Sequence, residues 1–381
     1  MIGKEDFLTK SQISIVKCAN YDSALVELAV RESIALIGGI NRYVKPGSKV
    51  LVKPNILMAR EPESGIITHP EVVRAVIRIL KEIDAQVFVG DGPSVWGDEI
   101  EDVDEVYRRS GIAAICAEEK VSLVKLDKRR MRKDFPLTTW LDECDYLINI
   151  PKFKTHSLTL LTGGIKNLFG LVSGTFKTEL HKNYFNINDF SRILVDIYEE
   201  ARPALTIIDG ITAMEGDGPA SCGKPRDLGL ILSGSDCVAL DSAMAKIAGI
   251  KPFDVLTTLK AAQRNLGNAD FDKIEVLGER LENLNIRPFL LPTTSFLRKN
   301  IPEPIVNIAK SLIKYYPYPV YRNCVRCSAC VKICPHQCIT MKKKGIAFDY
   351  KKCIACFCCQ EACPSAAIKV KKSLVAKMIG L

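Results

Sequence analysis

Residues 48–55 read SKVLVKPN, residues 69–83 read HPEVVRAVIRILKEI and residues 85–94 read AQVFVGDGPS. The first is a short apolar run that stops at a polar turn, which predicts a strand. The second spaces apolar residues at helical intervals behind Pro70, a residue suited to a first helical turn, and predicts an amphipathic helix. The third returns to a strand. Strands followed by helices imply a largely parallel or mixed sheet with helices on its faces. The alternation continues from about Ile13 to Leu290. A helix is expected around DVDEVYRRSGI, strands in CDYLINIPKFKTH, ALTIIDGI and DLGLILSGSD, and a helix in CVALDSAMAKIAGI. The expected class is α/β, a layered mixed or parallel sheet, with ligands collecting at the carboxyl ends of the strands.

The 381 residues suffice for two or three domains, and 47% hydrophobic with 25% charged residues is the composition of a globular chain, which excludes disorder and low-complexity architectures. The opening MIGKEDFLTKSQ carries four charges and no secretory core, and no run approaches the ~20 apolar residues of a membrane span. A cytoplasmic location is expected. Charge is unevenly placed: Tyr315 to Leu381 holds twelve Lys and Arg against Asp349 and Glu361, so the whole-chain +9 leaves the first 314 residues at −1.

Ten of the fifteen cysteines lie between Cys324 and Cys363; Cys18, Cys116, Cys144, Cys222 and Cys237 are scattered. Without an export signal, such a cluster points to metal rather than disulfides. Cys324, Cys327, Cys330 and Cys334-Pro335 form C-x2-C-x2-C-x3-C-P, and Cys353, Cys356, Cys359 and Cys363-Pro364 repeat it. Three closely spaced thiolates supply three corners of a cubane cluster. A pair of structural zinc sites would instead want two C-x2-C pairs across a spacer. Residues 322–371 resemble a bacterial-type ferredoxin domain with two 4Fe–4S clusters, a small α+β unit. The resemblance implies that the last cysteine of each run serves the other cluster: Cys324, Cys327, Cys330 and Cys363 hold one, and Cys353, Cys356, Cys359 and Cys334 the other. Cys338 and Cys358 are left over as small buried thiols, Cys338 with the lesser alternative of a replacement ligand. The positive charges offset the anionic clusters, favour their reduced state, and offer a surface to an acidic, low-potential electron donor. Lys342, Lys343 and Lys344 are expected in an exposed hairpin-like connection.

Polar residues gather at the predicted strand ends: Lys53 and Asn55, then Asp91, then Lys152, Lys154 and His156, then Asp209. Glycine-bearing segments follow, one with Lys166 and Asn167 (TGGIKNLFG), one with Glu215 and Asp217 (EGDGP). Lysines beside glycines suit a carboxylate or phosphate. Lys53, Asn55, Lys166 and Asn167 are therefore substrate-binding candidates. His156, with its near-neutral unperturbed pKa, is the leading acid/base candidate, with Lys152, Lys154, Asp209 and Glu215 as further catalytic candidates. His69 is expected to cap a helix, and His181 to sit in a loop able to act as a lid. VKPNILM, THPEVVRAVIRILKE, INIPKFKTH, GGIKNLFG, IDGITAMEGDGPASCGKPRD and DCVALDSAMAKIAG resemble segments of the DUF362 family over residues 15–290. With the ferredoxin module they match a recurring family architecture, which implies no particular reaction.

The expected layout is a 1–291 DUF362-like domain, a 292–321 helical linker containing NIAKSLIKYY, the 322–371 cluster module and a 372–381 basic tail. Gly90-Asp91-Gly92-Pro93 lacks the third glycine of a dinucleotide turn, and no G-x-x-x-x-G-K-S/T occurs, so flavin remains a cofactor to check without a motif behind it. The expected function is an iron–sulfur oxidoreductase passing single electrons to a small, anionic substrate. The alternative is a non-catalytic electron-transfer subunit docking another oxidoreductase. Neither nucleic acid nor membrane is an expected partner.

Overall fold

The computed structural model describes residues 10–92, 102–172, 176–184, 187–298, 315–343 and 345–373. The large domain contains β1 (Ser11–Lys17), β2 (Lys49–Pro54), β3 (Gln86–Val89), β4 (Ser122–Leu123), the separate hairpin β5 (Arg129–Arg132) and β6 (Phe135–Thr138), β7 (Tyr146–Ile150), β8 (Lys152–His156), β9 (Leu160–Thr162), β10 (Leu205–Gly216), β11 (Gly223–Gly234) and β12 (Ile274–Gly278). Ten of these form one sheet in the order β12-β1-β11-β10-β7-β2-β3-β4, with β8 on β10 and β9 on β8. Its pairings are mostly parallel; β11 runs antiparallel to both β1 and β10, and β9 to β8. The expected α/β class holds.

Alternation along β2 shows why the sheet needs cover on both faces: Val50 and Val52 enter one core cluster and Leu51 the other. On the first face lie helices Ser23–Leu36 and Pro70–Lys81, the latter burying Val72, Val73, Val76, Ile77 and Leu80. On the second lie Ile187–Ala201 and Cys237–Ile247. Helix starts are fixed by side chains: Asp22 accepts from the amides of Ala24 and Leu25, Asp236 from those of Val238 and Ala239, and His69 Nδ1 from that of Glu71. His69 thus has the capping role, and its ring also stacks on Tyr21, centroids 3.7 Å apart.

At Pro151 the chain leaves β7 and continues as β8, which pairs beyond β7 along β10: Lys152 opposite Asp209, Lys154 opposite Met214. The two-residue period of a strand then puts Lys152, Lys154 and His156 on one side and sends Phe153 into the opposite core.

The C-terminal module contains β13 (Tyr315–Pro319), β14 (Ile339–Lys342), β15 (Gly345–Phe348) and β16 (Ile368–Lys372), with short helices Ala329–Ile333 and Cys358–Glu361. β14 and β15 form the hairpin expected around the lysine run, Lys344 lying outside the described residues. One boundary is corrected. Thr293–Arg298 is a 3-10 helix, 299–314 lies outside the described residues, and Tyr315–Pro319 is a strand paired with β16, so the module begins at Tyr315 instead of 322. Pro317 and Pro319 forbid helix and suit an edge strand. Of the expected tail, 374–381 also lies outside the described residues.

Burial holds the pKa of His69 down to about 4, so the folded state keeps it neutral while the unfolded chain binds a proton below pH 6.5. Its stability contribution is whole above pH 6.5 and is lost as pH falls toward 4. His69→Asn retains a capping oxygen and removes the titration. Between pH 7.5 and 5.0 it should lose about 2 kcal/mol less stability than wild type by thermal melting; an equal loss would show that His69 does not set the acid limit.

Candidate functional site

The exits of β2 and β3 are locked together first. Lys53, fully buried, pairs with Asp91 (Nζ–Oδ1 2.7 Å), and Asp91 Oδ2 accepts from the amide of Ile56 at 2.7 Å. The Tyr107 hydroxyl donates to the Asp91 carbonyl and accepts from its amide. The segment Gly163–Gly170 then passes over this pair. A Cβ on Gly170 would lie 2.2 Å from Asp91 Oδ1, and one on Gly163 2.1 Å from Asp241 Oδ1. These glycines make room for protein carboxylates rather than for a ligand. The Asp241 carboxylate receives the amides of Gly164 and Ile165, fixing the turn that presents Lys166 and Asn167; burial raises its pKa to about 7.

β8 supplies the next layer. Lys152 Nζ donates to Asp209 Oδ2 (2.8 Å) and the Tyr21 hydroxyl (2.5 Å), both charges being fully buried. Asp209 also accepts from Tyr21 Oη and from the amides of His69 and Ile211. Its carboxylate is committed on every side, and the pair lies behind the cleft.

The cleft itself, about 510 Å³, is walled by residues including Asn55, Asp91, Lys154, His156, Thr162, Lys166, Asn167, Lys177, His181, Pro219 and Glu361. Lys154 donates to Asn55 Oδ1 (2.6 Å) and the Ile66 carbonyl (2.7 Å). Burial, reinforced by Lys166 and Lys152, pushes Lys154 down to about 7, and burial pushes Lys177 down to about 8. Lys177 donates to the Gly92 carbonyl. Lys166, half-buried and also lowered by burial, stands over the ring of Phe169, 5.2 Å from its centroid. His181 belongs to helix Phe176–Asn183 and is buried, 4.4 Å from Phe190 centroid to centroid, with burial holding its pKa near 3. It is packed in a wall, which corrects its expected place in a loop.

Glu361 enters from the other domain. It is buried, its Oε1 is 3.5 Å from His156 Nε2, and burial raises its pKa although Lys166 and Lys154 oppose this. His156 Nδ1 accepts from the amides of Leu158 and Thr159, so the neutral ring carries its proton on Nε2, facing Glu361. The docking is held by Arg60 Nη2 to the Pro364 carbonyl (2.6 Å), Cys222 Sγ to the Ile368 carbonyl (3.2 Å) and Gln360 Nε2 to the Asp217 carbonyl (3.5 Å).

Within the module the two cysteine runs repeat at an offset of 29 residues. Arg326, Ser328 and Gln337 have positive φ, as do their counterparts Ala355, Phe357 and Ala366. Left-handed residues between the cysteines turn backbone N–H groups inward, a geometry that receives anions. The amides of Cys338 and Ala367, again counterparts, donate to Cys334 and Cys363 sulfurs at 3.3 and 3.1 Å. Two cavities result. Cys324, Cys327, Cys330 and Cys363 wall one of about 290 Å³, and Cys334, Cys353, Cys356 and Cys359, joined by Cys338, wall one of about 310 Å³. Thiolate number, thiolate grouping and inward amides fit a cubane in each. Cys338 Sγ is 3.3 Å from Cys334 Sγ; Cys358 is buried beside Lys166.

Of the large-domain candidates, Asn55, Lys154, His156, Lys166 and Asn167 meet in the cleft. Lys53, Lys152 and Asp209 stand behind it as buried pairs. Glu215 is drawn elsewhere, paired with Arg226 and Arg287 and accepting the Leu290 amide, and Asp217 accepts from Thr293. Sequence reasoning missed Lys177 and Glu361. Glu361 did leave a signal: its counterpart in the first run is Lys332, so the second run carries an acid where the first carries a base.

An α/β domain whose lysine-walled cleft is closed by a double cysteine module defines the class, an iron–sulfur protein with an electron-transfer role. The 4Fe-4S dicluster domain matches residues 323–367. Residues 50–246 match the domain of unknown function DUF362, and the chain belongs to that family. It is 32% identical over 262 residues to the thylakoid-associated protein sll1697 of Synechocystis sp., covering 67% of this chain and 79% of the relative. Among solved structures it is similar to the lactate racemase apoprotein of Thermoanaerobacterium thermosaccharolyticum, with a TM-score of 0.38 and 13% identity over 65% of this chain and 60% of that one. Among the described residues no helix is long and apolar enough to cross a membrane.

If Lys152 is a structural partner of Asp209, Lys152→Met strands a buried carboxylate and costs about 3–5 kcal/mol. Adding Asp209→Asn should recover most of that loss in thermal melts. A single variant as stable as wild type would remove the pair from the supporting frame.

Proposed function

We propose that this protein is an iron–sulfur oxidoreductase that takes single electrons from a low-potential donor and delivers them to a small anionic substrate in the lysine-walled cleft. The contact of Glu361 with His156 carries the reading. Glu361 lies inside Cys359-Gln-Glu-Ala-Cys363, so the loop that would hold a cluster also forms a wall of the cleft. Cys324, Cys327, Cys330 and Cys363 would hold one 4Fe–4S cluster and Cys334, Cys353, Cys356 and Cys359 the other, supplying electrons one at a time.

The chain's own groups account for binding. Lys154, Lys166 and Lys177 face the cleft, against Glu361 and an Asp91 already matched by Lys53. The excess is positive, which selects an anion. Asn167 commits its amide nitrogen to Asn149 Oδ1 at 2.8 Å, leaving Oδ1 buried with no partner among the described residues, as is Thr162 Oγ1. A substrate bearing an N–H or O–H donor as well as its charge satisfies Asn167. His156 Nε2 holds a proton at the wall nearest the module, positioned to protonate a reduced substrate.

Two outcomes test this. Iron analysis should fall from about eight to about four atoms per chain in Cys334→Ser/Cys338→Ser and stay near eight in Cys338→Ser; the reverse would reassign the fourth ligand. Protein reduced anaerobically and freed of reductant should be reoxidised by a small-molecule fraction of an anaerobic extract. Lys166→Met/Lys177→Met and His156→Asn should each slow this at least ~100-fold with cluster absorbance unchanged. Reoxidation by protein fractions alone, unaffected by these variants, would make the chain an electron-transfer subunit for another oxidoreductase.

A further inference from the structure

The two halves of the module share a backbone and differ in what they show to the outside. In the second half Phe357, Cys358, Gln360 and Glu361 are buried. Their counterparts in the first half are Ser328, Ala329, Val331 and Lys332, of which Ala329 alone is buried and Lys332 is exposed. The second loop is therefore sealed against the large domain at the cleft, and the first is turned away from it. Cys327, a proposed ligand, is exposed, whereas its counterpart Cys356 is less so.

Around Cys327 the surface has a definite composition. Val325 and Tyr321 are large apolar side chains at 64% and 55% exposure. Tyr321 lies against Gly345 at the turn of the β14–β15 hairpin, where a Cβ would come 2.7 Å from its ring. Arg326 donates to the carbonyls of Lys342 (3.0 Å) and Lys343 (2.7 Å), binding the hairpin tip to the cysteine loop. The result is an exposed apolar centre beside a held guanidinium, Arg326, and the exposed Lys342 and Lys343. The module's two carboxylates do not balance it: Glu361 is buried in the cleft, and Asp349 turns its Oδ1 to the amide of Lys351.

We propose that an acidic redox protein docks on the face formed by Tyr321, Val325, Arg326, Cys327, Lys342 and Lys343 and passes one electron at a time to the cluster held there. Each transfer oxidises the partner's centre by one electron and reduces this cluster by one, with no bond made or broken. Charge complementarity steers the encounter, and the apolar centre keeps it brief and close. The inference rests on the module acting in electron transfer, as in the function proposed above, but not on what the cleft binds.

The probe is a reduced, acidic 2Fe–2S ferredoxin, mixed anaerobically with the oxidised full-length protein; the return of the donor's own long-wavelength 2Fe–2S absorption is followed in a stopped-flow experiment with no cleft substrate present. The second-order rate constant should fall at least ~10-fold from 20 to 300 mM salt. At low salt Arg326→Glu/Lys342→Glu/Lys343→Glu should slow it at least ~10-fold, whereas Lys45→Glu/Lys251→Glu/Lys273→Glu, an equal charge change on the large domain, should leave it within twofold. Equal end-point absorbance on dithionite reduction shows that the clusters are intact in each variant. A rate indifferent to salt, or slowed equally by both triple variants, would overturn the docking face. So would a face variant that reacts normally with the ferredoxin but loses binding to duplex DNA, which would assign the cations to nucleic acid. Failure of the cleft reading leaves this readout unchanged, because no substrate turnover enters it.

Discussion

Four ammonium groups, on Lys53, Lys152, Lys154 and Lys177, are buried at one edge of the sheet, and the arrangement of that edge follows from keeping them solvated by protein. Lys53 and Lys152 receive a carboxylate each, and those carboxylates are in turn saturated by amides, Tyr21 and Tyr107. Among the described residues, Lys154 and Lys177 donate to neutral oxygens alone. Removing a charge from water costs several kcal/mol when it is not matched. The unmatched pair, with Lys166, is therefore the part of the edge that gains most from an incoming anion. The paired lysines hold the frame, and the unpaired ones face the cleft.

This division explains why sequence reading located the edge but misjudged some of its members. The strand exits were legible because the apolar runs of β2, β3 and β7 each pass into charged residues, and the grouping of cysteines around two cavities because their spacing repeats. A lysine that pairs behind the cleft and one that opens into it look alike in sequence. Lys152 and Lys154 differ by one turn of strand register and by the presence of Asp209 opposite the first, a contact between residues 57 positions apart. The glycines of Gly163–Gly170 pointed to close approach, correctly, yet what approaches is Asp91 and Asp241. Lys177 was invisible because nothing local distinguishes it from any helical lysine until its helix is folded over Gly92. The strand Tyr315–Pro319 was missed because its partner, β16, lies beyond the cysteine runs.

The module illustrates the opposite case, where a departure from repetition carries the information. Its halves keep cysteines, prolines, left-handed residues and N–H···S contacts at a constant offset, which is what two equivalent anionic cages require. Between those fixed points the halves diverge. Where the first carries Arg326 and Lys332, the second carries Ala355 and Glu361. An exposed cation suits water and an oppositely charged partner, whereas a buried loop beside Lys154 and Lys166 tolerates an acid better than another base. The asymmetry gives the module an outer and an inner side, a property that a freely diffusing ferredoxin does not need.

Attachment of the module does more than raise the local concentration of an electron carrier. Glu361 and Pro219 lie on opposite sides of the domain boundary and wall the same cleft, and Arg60, Cys222 and Asp217 bond to the loop that contains Glu361 or to the strand that follows it. The backbone between Cys359 and Cys363 would be constrained at both ends by the proposed cluster ligands, so its placement would follow from the cluster loop being formed. The cleft is consequently complete only when the module is folded against it. A detached ferredoxin would supply electrons to a cleft open on that side, with His156 Nε2 facing solvent in place of Glu361. In the function proposed above, fusion makes the electron source part of the binding site, so that one interface would settle both substrate capture and electron supply.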